Sequence, residues 1–374
     1  MLLLLLAFEW NLDWKHLGPP ASWASERYCV RKIDGAGGHS SDFGLLGVPW
    51  CKSKIPVEWS KSELLFGLYD FLPVYATRPV QHNQWGTRLD HSFGLWFLAR
   101  RLQPEIIIES GVHRGHSTWI LRQAMPNASI ITLSPEHPRS HESEGPFYVD
   151  AKAFYFTEEN FTDFASMDWD QVLGDVVRHR FRVDKAKVLV FFDDHQSHLK
   201  RVQQAQQAGF KHLVFDDNYD TGSGDEYSLR QICDQLTTGG GHSCSLSSRE
   251  AEVRSQRKRA WERAVDMTEL CSMSGAWWGI RGEMRDNFDK IKVPISHQDH
   301  IENYKLVQSM LQIYWEVPPL ASPSLSYQRA YDPARTVGPL LGEDEREVYN
   351  RLGLDKLDEW EFSEYIQMAY ARLK

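Results

Sequence analysis

No run of apolar residues in this 374-residue chain reaches the roughly 20 needed to cross a bilayer. The leucine run after Met1, ending in Ala7 and Phe8, falls well short. It also lacks a basic segment before it and a clear small-residue cleavage site. It reads as the tail of a signal anchor or as a buried segment, and the body of the chain carries no membrane span. Cysteine is scarce: Cys29, Cys51, Cys233, Cys244 and Cys271 form no CxxC pair, which argues against a zinc knuckle or a thioredoxin-like motif. Cys233 and Cys244 flank a glycine-rich loop and could form a disulfide if the protein is exported. Asn127-Ala128-Ser129 and Asn160-Phe161-Thr162 fit the glycosylation pattern. Cytoplasmic and secretory, lumenal locations stand near even. Positive charge is also in deficit. Lys and Arg total 42 against 51 Asp and Glu, a formal net charge of -9, which argues against a broad nucleic-acid footprint. There is no GxGxxG, no P-loop Lys-Ser/Thr and no HExxH.

Aromatic residues are plentiful, with 14 Trp, 14 Tyr and 18 Phe. Such side chains fill cores first, and they also line carbohydrate or aromatic-ligand clefts. The 42% apolar and 25% charged composition is that of a globular protein. Residues 1–75 read as an N-terminal arm and short helix packed on the core. Residues 76–236 read as the core itself, 237–270 as an inserted loop and exposed helix, and 271–374 as completion of the core with a C-terminal helical extension. Within these, helices are expected over 61–72, stopped by Pro73, over 90–102, 300–316 and 356–372, with a strand within 273–281.

The centre of the chain alternates strand and helix. Ile106-Ile107-Ile108, Ser129–Leu133, Lys187–Phe192 and Lys211–Phe215 are apolar runs without polar alternation, as in parallel strands buried on both faces. Helices over about 116–125 and 197–208, the second ended by Gly209, complete an open α/β sheet with helices on both faces. Three of the strands run into polar residues: Glu109, then Asp193-Asp194-His195, then Asp216-Asp217-Asn218. In a parallel sheet these carboxyl ends share one edge, where ligands bind.

Glu109-Ser110-Gly111-Val112-His113-Arg114-Gly115 places two glycines between a strand and a helix. They permit a tight turn, or close approach of a ligand to the backbone at a helix N-terminus. Four converging carboxylates repel unless a cation or hydrogen bonds compensate, and a hard divalent ion such as magnesium takes carboxylate oxygens. The competing reading makes Asp216 and Asp217 caps of a following turn. His195, beside the first pair, is able to accept a proton near neutral pH. His113 and His116 flank the glycine loop and face a ligand or the surface. His137, His141, His297 and His300 read as surface or hydrogen-bonded residues rather than zinc ligands.

Taken in order, these segments resemble class I S-adenosylmethionine-dependent methyltransferases, in particular the metal-dependent macrocin O-methyltransferase and cephalosporin-hydroxylase-like group. The resemblance covers roughly residues 90–232. It rests on Ile106–Ser117, on Asp193-Asp194-His195-Gln196-Ser197 and on Val214–Tyr219. It implies a Rossmann-like sheet and S-adenosylmethionine held by Glu109, Gly111, His113 and Gly115, with Glu136 near the ribose if its loop folds back, since Ser134 stands where the family carries an acid. It implies Mg2+ or another divalent cation on Asp193, Asp216 and Asp217, and Asp194 or His195 as the base. Phe192 stands where the family places its first metal-binding aspartate, so Asp193 takes over through a local bulge or that ligand is lost. The implied reaction is methyl transfer to a hydroxyl of a small molecule or sugar, in a protein that forms homo-oligomers or acts alone. Two other classes stay open: a metal-assisted hydrolase, hydroxylase-like enzyme or lyase on the same fold, and a non-catalytic carbohydrate- or protein-binding protein.

Overall fold

The computed structural model describes residues 51–57, 59–83, 86–176, 183–219, 226–233, 283–286, 291–294, 297–326, 337–362 and 367–374. The inserted segment 237–270, the expected strand within 273–281 and most of the N-terminal arm lie outside the described residues.

Five parallel strands build the centre of one sheet: β1 (Ile106–Ser110), β2 (Ser129–Ser134), β3 (Phe154–Thr157), β4 (Val188–Phe192) and β5 (His212–Asn218). Two later strands, β8 (Leu311–Glu316) and β9 (Gln367–Leu373), extend it to seven in the order β3-β2-β1-β4-β5-β9-β8, with β9 antiparallel to both neighbours. A separate two-stranded sheet pairs β6 (Glu283–Asp286) antiparallel with β7 (Ile291–Pro294). This is the expected Rossmann-like sheet flanked by helices, with an N-terminal arm and a partly helical C-terminal extension.

Both faces of the central strands are apolar because both are covered. Ile107, Leu189, Phe191 and Val214 pack on one side, beneath α1 (Lys61–Tyr75), α2 (Leu89–Leu102) and α3 (His116–Ala124). Ile106, Ile108, Val190, Phe192 and Phe215 pack on the other. There they meet α4 (Trp169–Val176), α5 (His198–Ala208), α6 (Leu229–Cys233) and α7 (His297–Met310). Alternate residues thus enter different cores, which is why the sequence shows an unbroken apolar run. Two short helices, α8 (Pro323–Ser326) and α9 (Arg346–Arg351), lie in the extension.

Three expected boundaries change. Helix α1 does not stop at Pro73 but runs to Tyr75. A proline in the last turn forfeits one hydrogen bond, while Phe71 and Tyr75 beside it are buried and the Tyr75 hydroxyl donates to Glu361 at 2.6 Å. The helix expected over 300–316 ends at Met310 and the chain continues directly as β8. The helix expected over 356–372 is replaced at its end by β9. Its Met, Ala and Leu content favours helix locally, but six of its seven residues are buried between two strands, and pairing overrides propensity.

The arm's described end is fastened to the core twice. Trp59 packs edge-on against Trp315 and Phe97. Cys51 forms a disulfide with Cys233, across 182 residues. That takes Cys233 out of the Cys233–Cys244 pairing the sequence left open, because Cys233, buried in α6, faces the arm. Closing so long a loop restricts the unfolded chain strongly, so Cys51→Ser is expected to lower unfolding stability by roughly 2–5 kcal/mol. Denaturant titration of wild type and variant measures it, and an unchanged midpoint would show the bridge to be energetically idle.

Candidate functional site

The sheet register brings the polar residues together. Ser110 of β1 lies opposite Phe192 of β4, which lies opposite Phe215 of β5. The next residues, Gly111, Asp193 and Asp216, therefore stand at one level on the carboxyl edge. β1 is also the switch point, with β2 on one side and β4 on the other, where open α/β sheets bind ligands.

The loop after β1 is held closely by its neighbours. Gly111 has φ +90° and Gly115 φ +79°. A Cβ at 111 would lie 1.8 Å from the Asp193 carbonyl oxygen, and one at 115 would lie 2.1 Å from that of Tyr148. The glycines are thus required by protein backbone packed against them, rather than only by a ligand. Gly115 caps α3 without any side-chain hydrogen bond to the helix N-terminus, which leaves N–H groups there for an anion or polar ligand.

Glu109 is completely buried at the end of β1. Its Oε2 accepts from the Thr118 hydroxyl at 2.6 Å, while Oε1 has no hydrogen-bond partner. Burial raises its pKa to about 7, against the opposing effect of the Ser117 and Thr118 hydroxyls. A cationic group brought to Oε1 would supply the missing partner.

The acidic residues divide into different roles. Asp193, His195 and Asp217 present donor atoms within 4.8 Å of one another, and so do His91, Asp216 and Asp217. Asp217 joins the two groups. His91 Nδ1 lies 3.0 Å from Asp216 Oδ1, with both side chains buried. His195 is 44% exposed, with Nε2 3.9 Å from Asp217 Oδ2. Asp216 and Asp217 belong to β5 itself rather than to a turn. One extra residue in β5 between Phe215 and Asn218, relative to β9, re-aims successive side chains and accounts for consecutive aspartates reaching one cluster. No bulge in β4 is needed for Asp193, since β4 keeps its register through Phe192. Burial and then the neighbouring aspartates raise Asp193 well above the usual carboxylate range, and burial with Asp216 raises Asp217 to about 6.

Asp194 is committed elsewhere. Its Oδ2 accepts from the Ser110 hydroxyl at 2.6 Å and from Arg201 Nη2 at 2.9 Å. Arg201 is buried and also holds Asp163, so Asp194 anchors the turn after β4. Glu136 pairs with His141 at 3.2 Å, and His113 contacts Glu144 at 3.0 Å. Through these contacts the segment after β2 folds back to the glycine loop. His116 is buried, with Nε2 3.0 Å from the Ser92 hydroxyl, and burial lowers its pKa to about 3. His300 is buried 2.7 Å from the Tyr227 hydroxyl.

His91 was missed by sequence reasoning. It lies at the start of an amphipathic helix, and no motif marks it. The only available signal was a histidine on a helix leading into the first strand.

No family model matches the chain, and neither does any curated protein. Among solved structures it is similar to an O-methyltransferase from Bacillus cereus in complex with SAH, at 12% identity over 86% of this chain and 93% of that one, TM-score 0.32. It is also similar to an SAH-bound methyltransferase from Podospora anserina, at 14% identity over 53% and 75%, TM-score 0.27. A third is the O-methyltransferase TomG from Streptomyces achromogenes in complex with SAM, at 17% identity over 41% and 65%, TM-score 0.25. At these TM-scores the likeness carries no argument about chemistry; the fold rests on the strand order and register above.

The raised Glu109 pKa has a stability consequence. The folded carboxyl binds its proton more tightly than the unfolded one. Its contribution is therefore full below the unfolded value of 4.5 and is lost as pH rises to about 7. Wild type should lose about 3 kcal/mol relative to Glu109→Gln across that window. Paired thermal melts between pH 4.5 and 8 check this, and parallel curves would place the Glu109 pKa near its ordinary value.

Proposed function

We propose that the chain is an S-adenosylmethionine-dependent O-methyltransferase, assisted by a divalent cation, acting on a hydroxyl of a small molecule or sugar. The observation that carries this reading is the shared edge. A buried carboxylate with an unpartnered oxygen stands near the end of β1. Carboxylates and imidazoles within ligand distance of one another stand at the same level. When bound, the cofactor supplies an electrophilic methyl group and the ion supplies Lewis acidity to an acceptor hydroxyl.

The residues would act as follows. Glu109 Oε1 would take the ammonium of the cofactor's methionine part, with the carboxyl ionising as it does so. Gly111 and Gly115 would keep the loop in the conformation that exposes the α3 N-terminus, with His113 on its rim and Glu136 beyond it toward the ribose. Asp193, Asp216 and Asp217 would hold the ion, with His91 beside Asp216. Carboxylate oxygens suit magnesium, and imidazole extends the set toward manganese, iron or zinc. His195 would accept the acceptor's proton at Nε2, and the Asp217 carboxylate would steady the imidazolium. Asp194, locked by Arg201 and Ser110, would position this turn rather than take the proton. Rate enhancement would come from orientation and from stabilising the developing alkoxide.

Calorimetry with S-adenosylmethionine tests the first half. Wild type should bind, and Glu109→Gln should bind about ten- to a hundredfold more weakly. Release of S-adenosylhomocysteine, scored against a panel of catechols, diols and sugars with added magnesium or manganese, tests the second half. Asp216→Asn should reduce any such activity at least a hundredfold with its melting temperature little changed. No cofactor binding by the wild-type chain would remove this reading and favour another metal-assisted enzyme on the same fold.

We also propose that the protein matures in an oxidising compartment. The buried Cys51–Cys233 bridge supports this, since such bridges are rare in reducing compartments. Asn127 and Asn160 are both exposed. Peptide mapping without reductant, on protein from its native source, should recover Cys51 and Cys233 in one linked peptide. Recovery as free thiols would move the protein to the cytoplasm.

A further inference from the structure

A second cluster lies outside the carboxylate site, where the glycine loop meets the 3-10 segment Pro138–Glu144. The Glu144 carboxylate sits between two imidazoles, with His113 Nε2 3.0 Å from Oε2 and His141 Nδ1 2.8 Å from Oε1. The rings lie 4.7 Å apart and nearly perpendicular. All three residues offer donor atoms within 4.8 Å of one another. From these contacts we propose that His113, His141 and Glu144 form a divalent-cation site for a borderline ion such as zinc, distinct from the carboxylate cluster at Asp193–Asp217.

Three observations favour an ion over a chain of hydrogen bonds alone. First, the donor set is two imidazoles and one carboxylate, three protein ligands with room for a fourth, the composition of open zinc sites. Metal–ligand bonds of about 2.0–2.1 Å in a tetrahedron separate the ligands by roughly 3.3 Å, so the two imidazole–carboxylate contacts would open by a few tenths of an ångström, and the two imidazole nitrogens, now within 4.8 Å, would settle at a similar spacing. Second, His141 is oriented from behind. While Nδ1 faces Glu144, its Nε2 lies 3.2 Å from Glu136 Oε2, the carboxylate support that metal-bound histidines usually have. Third, His113 is held at φ +45°, a conformation uncommon for a residue with a side chain and concentrated at ligand clamps. Its Nδ1 is buried without a hydrogen-bond partner, so Glu144 is the ring's one hydrogen-bond anchor.

The two histidines and the glutamate come from different segments, after β1 and after β2. An ion would tie Pro138–Glu144 to the loop 111–115 and stiffen that loop's outer side. The sequence offered no such site, because the spacing of His113 to His141 matches no metal motif and only the backbone closes the gap. The inference does not depend on the methyltransferase reading, since it concerns zinc alone on the full chain.

The experiment uses the full-length chain, freed of metal by chelation, and zinc as the only probe. The double variant Asp216→Asn, Asp217→Asn is the background, so that the first cluster does not compete. In this background one equivalent of zinc should bind by calorimetry and elemental analysis. Added His141→Ala or Glu144→Gln should weaken binding at least a hundredfold, and Glu136→Gln about tenfold or more. Cobalt in place of zinc should give the visible absorption of a four-coordinate ion, lost in His141→Ala. Melting temperatures without metal should match between the background and its Glu144→Gln and Glu136→Gln derivatives, whose side chains are largely exposed. If His141→Ala fails to fold, Glu144→Gln and the cobalt spectrum of the background decide. Absence of zinc binding in the background, or equal affinity in His141→Ala and Glu144→Gln, would overturn the proposal and leave a hydrogen-bonded triad.

Discussion

β1 and β4 converge so closely at their carboxyl ends that no side chain fits at position 111. The Asp193 carbonyl oxygen occupies the space a Cβ would need, and the Asp193 amide donates to Ser110 at 2.8 Å. This crossing fixes the height of everything around it. It sets Asp193 level with Asp216, starts the turn that presents His195 at φ +53°, and aims the Asp194 carboxylate into the layer of Ser110 and Arg201. A chain with alanine at 111 would have to part the strands or move the turn, and either shift would disperse the cluster.

Electrostatics gives that arrangement its chemical meaning. Charged carboxylate oxygens within 4.8 Å of one another repel by about 3 kcal/mol or more at an effective dielectric near 20, well above the worth of a surface ion pair. A proton, an imidazolium or a metal ion relieves it. By contrast, Asp163, Asp194 and Arg201 form a closed set in which the guanidinium answers both acids. One group of acids meets a buried guanidinium and the other meets imidazoles, His91 at Asp216 and His195 at Asp217. That contrast, rather than the number of aspartates, distinguishes the structural network from the candidate site.

The parts of the molecule legible in sequence were those governed by local pattern. Ile106–Ile108 and Lys187–Phe192 read as strands because strands buried on both faces leave no alternation to misread. The shared edge followed from their being parallel. What failed depended on distant partners. Gln367–Leu373 has helix-forming residues yet pairs between β5 and β8. Cys233 chose Cys51 over nearby Cys244 because the arm passes beside α6. His91 and Arg201 carry no signal along the chain, since each acquires its meaning from a residue more than a hundred or only a few positions away, brought close by packing. Asp194 was legible as part of an acidic cluster, but not as the partner of a buried arginine.

The glycine loop is therefore constrained from both ends by different chemistry. At its start, Glu109 is sealed in the core with Oε1 lacking a hydrogen-bond partner. On its rim, His113 is strained and shares Glu144 with His141. A ligand seated over the loop would meet the second through the position of Pro138–Glu144. The stiffness of that rim affects binding only if the rim moves when a ligand enters. Because the crossing at Gly111 leaves the base of the loop no freedom, adjustment has to occur on the His113 side, where the contacts are between exposed or half-buried side chains. The fold thus separates a rigid floor, set by backbone against backbone, from an adjustable wall set by three side chains.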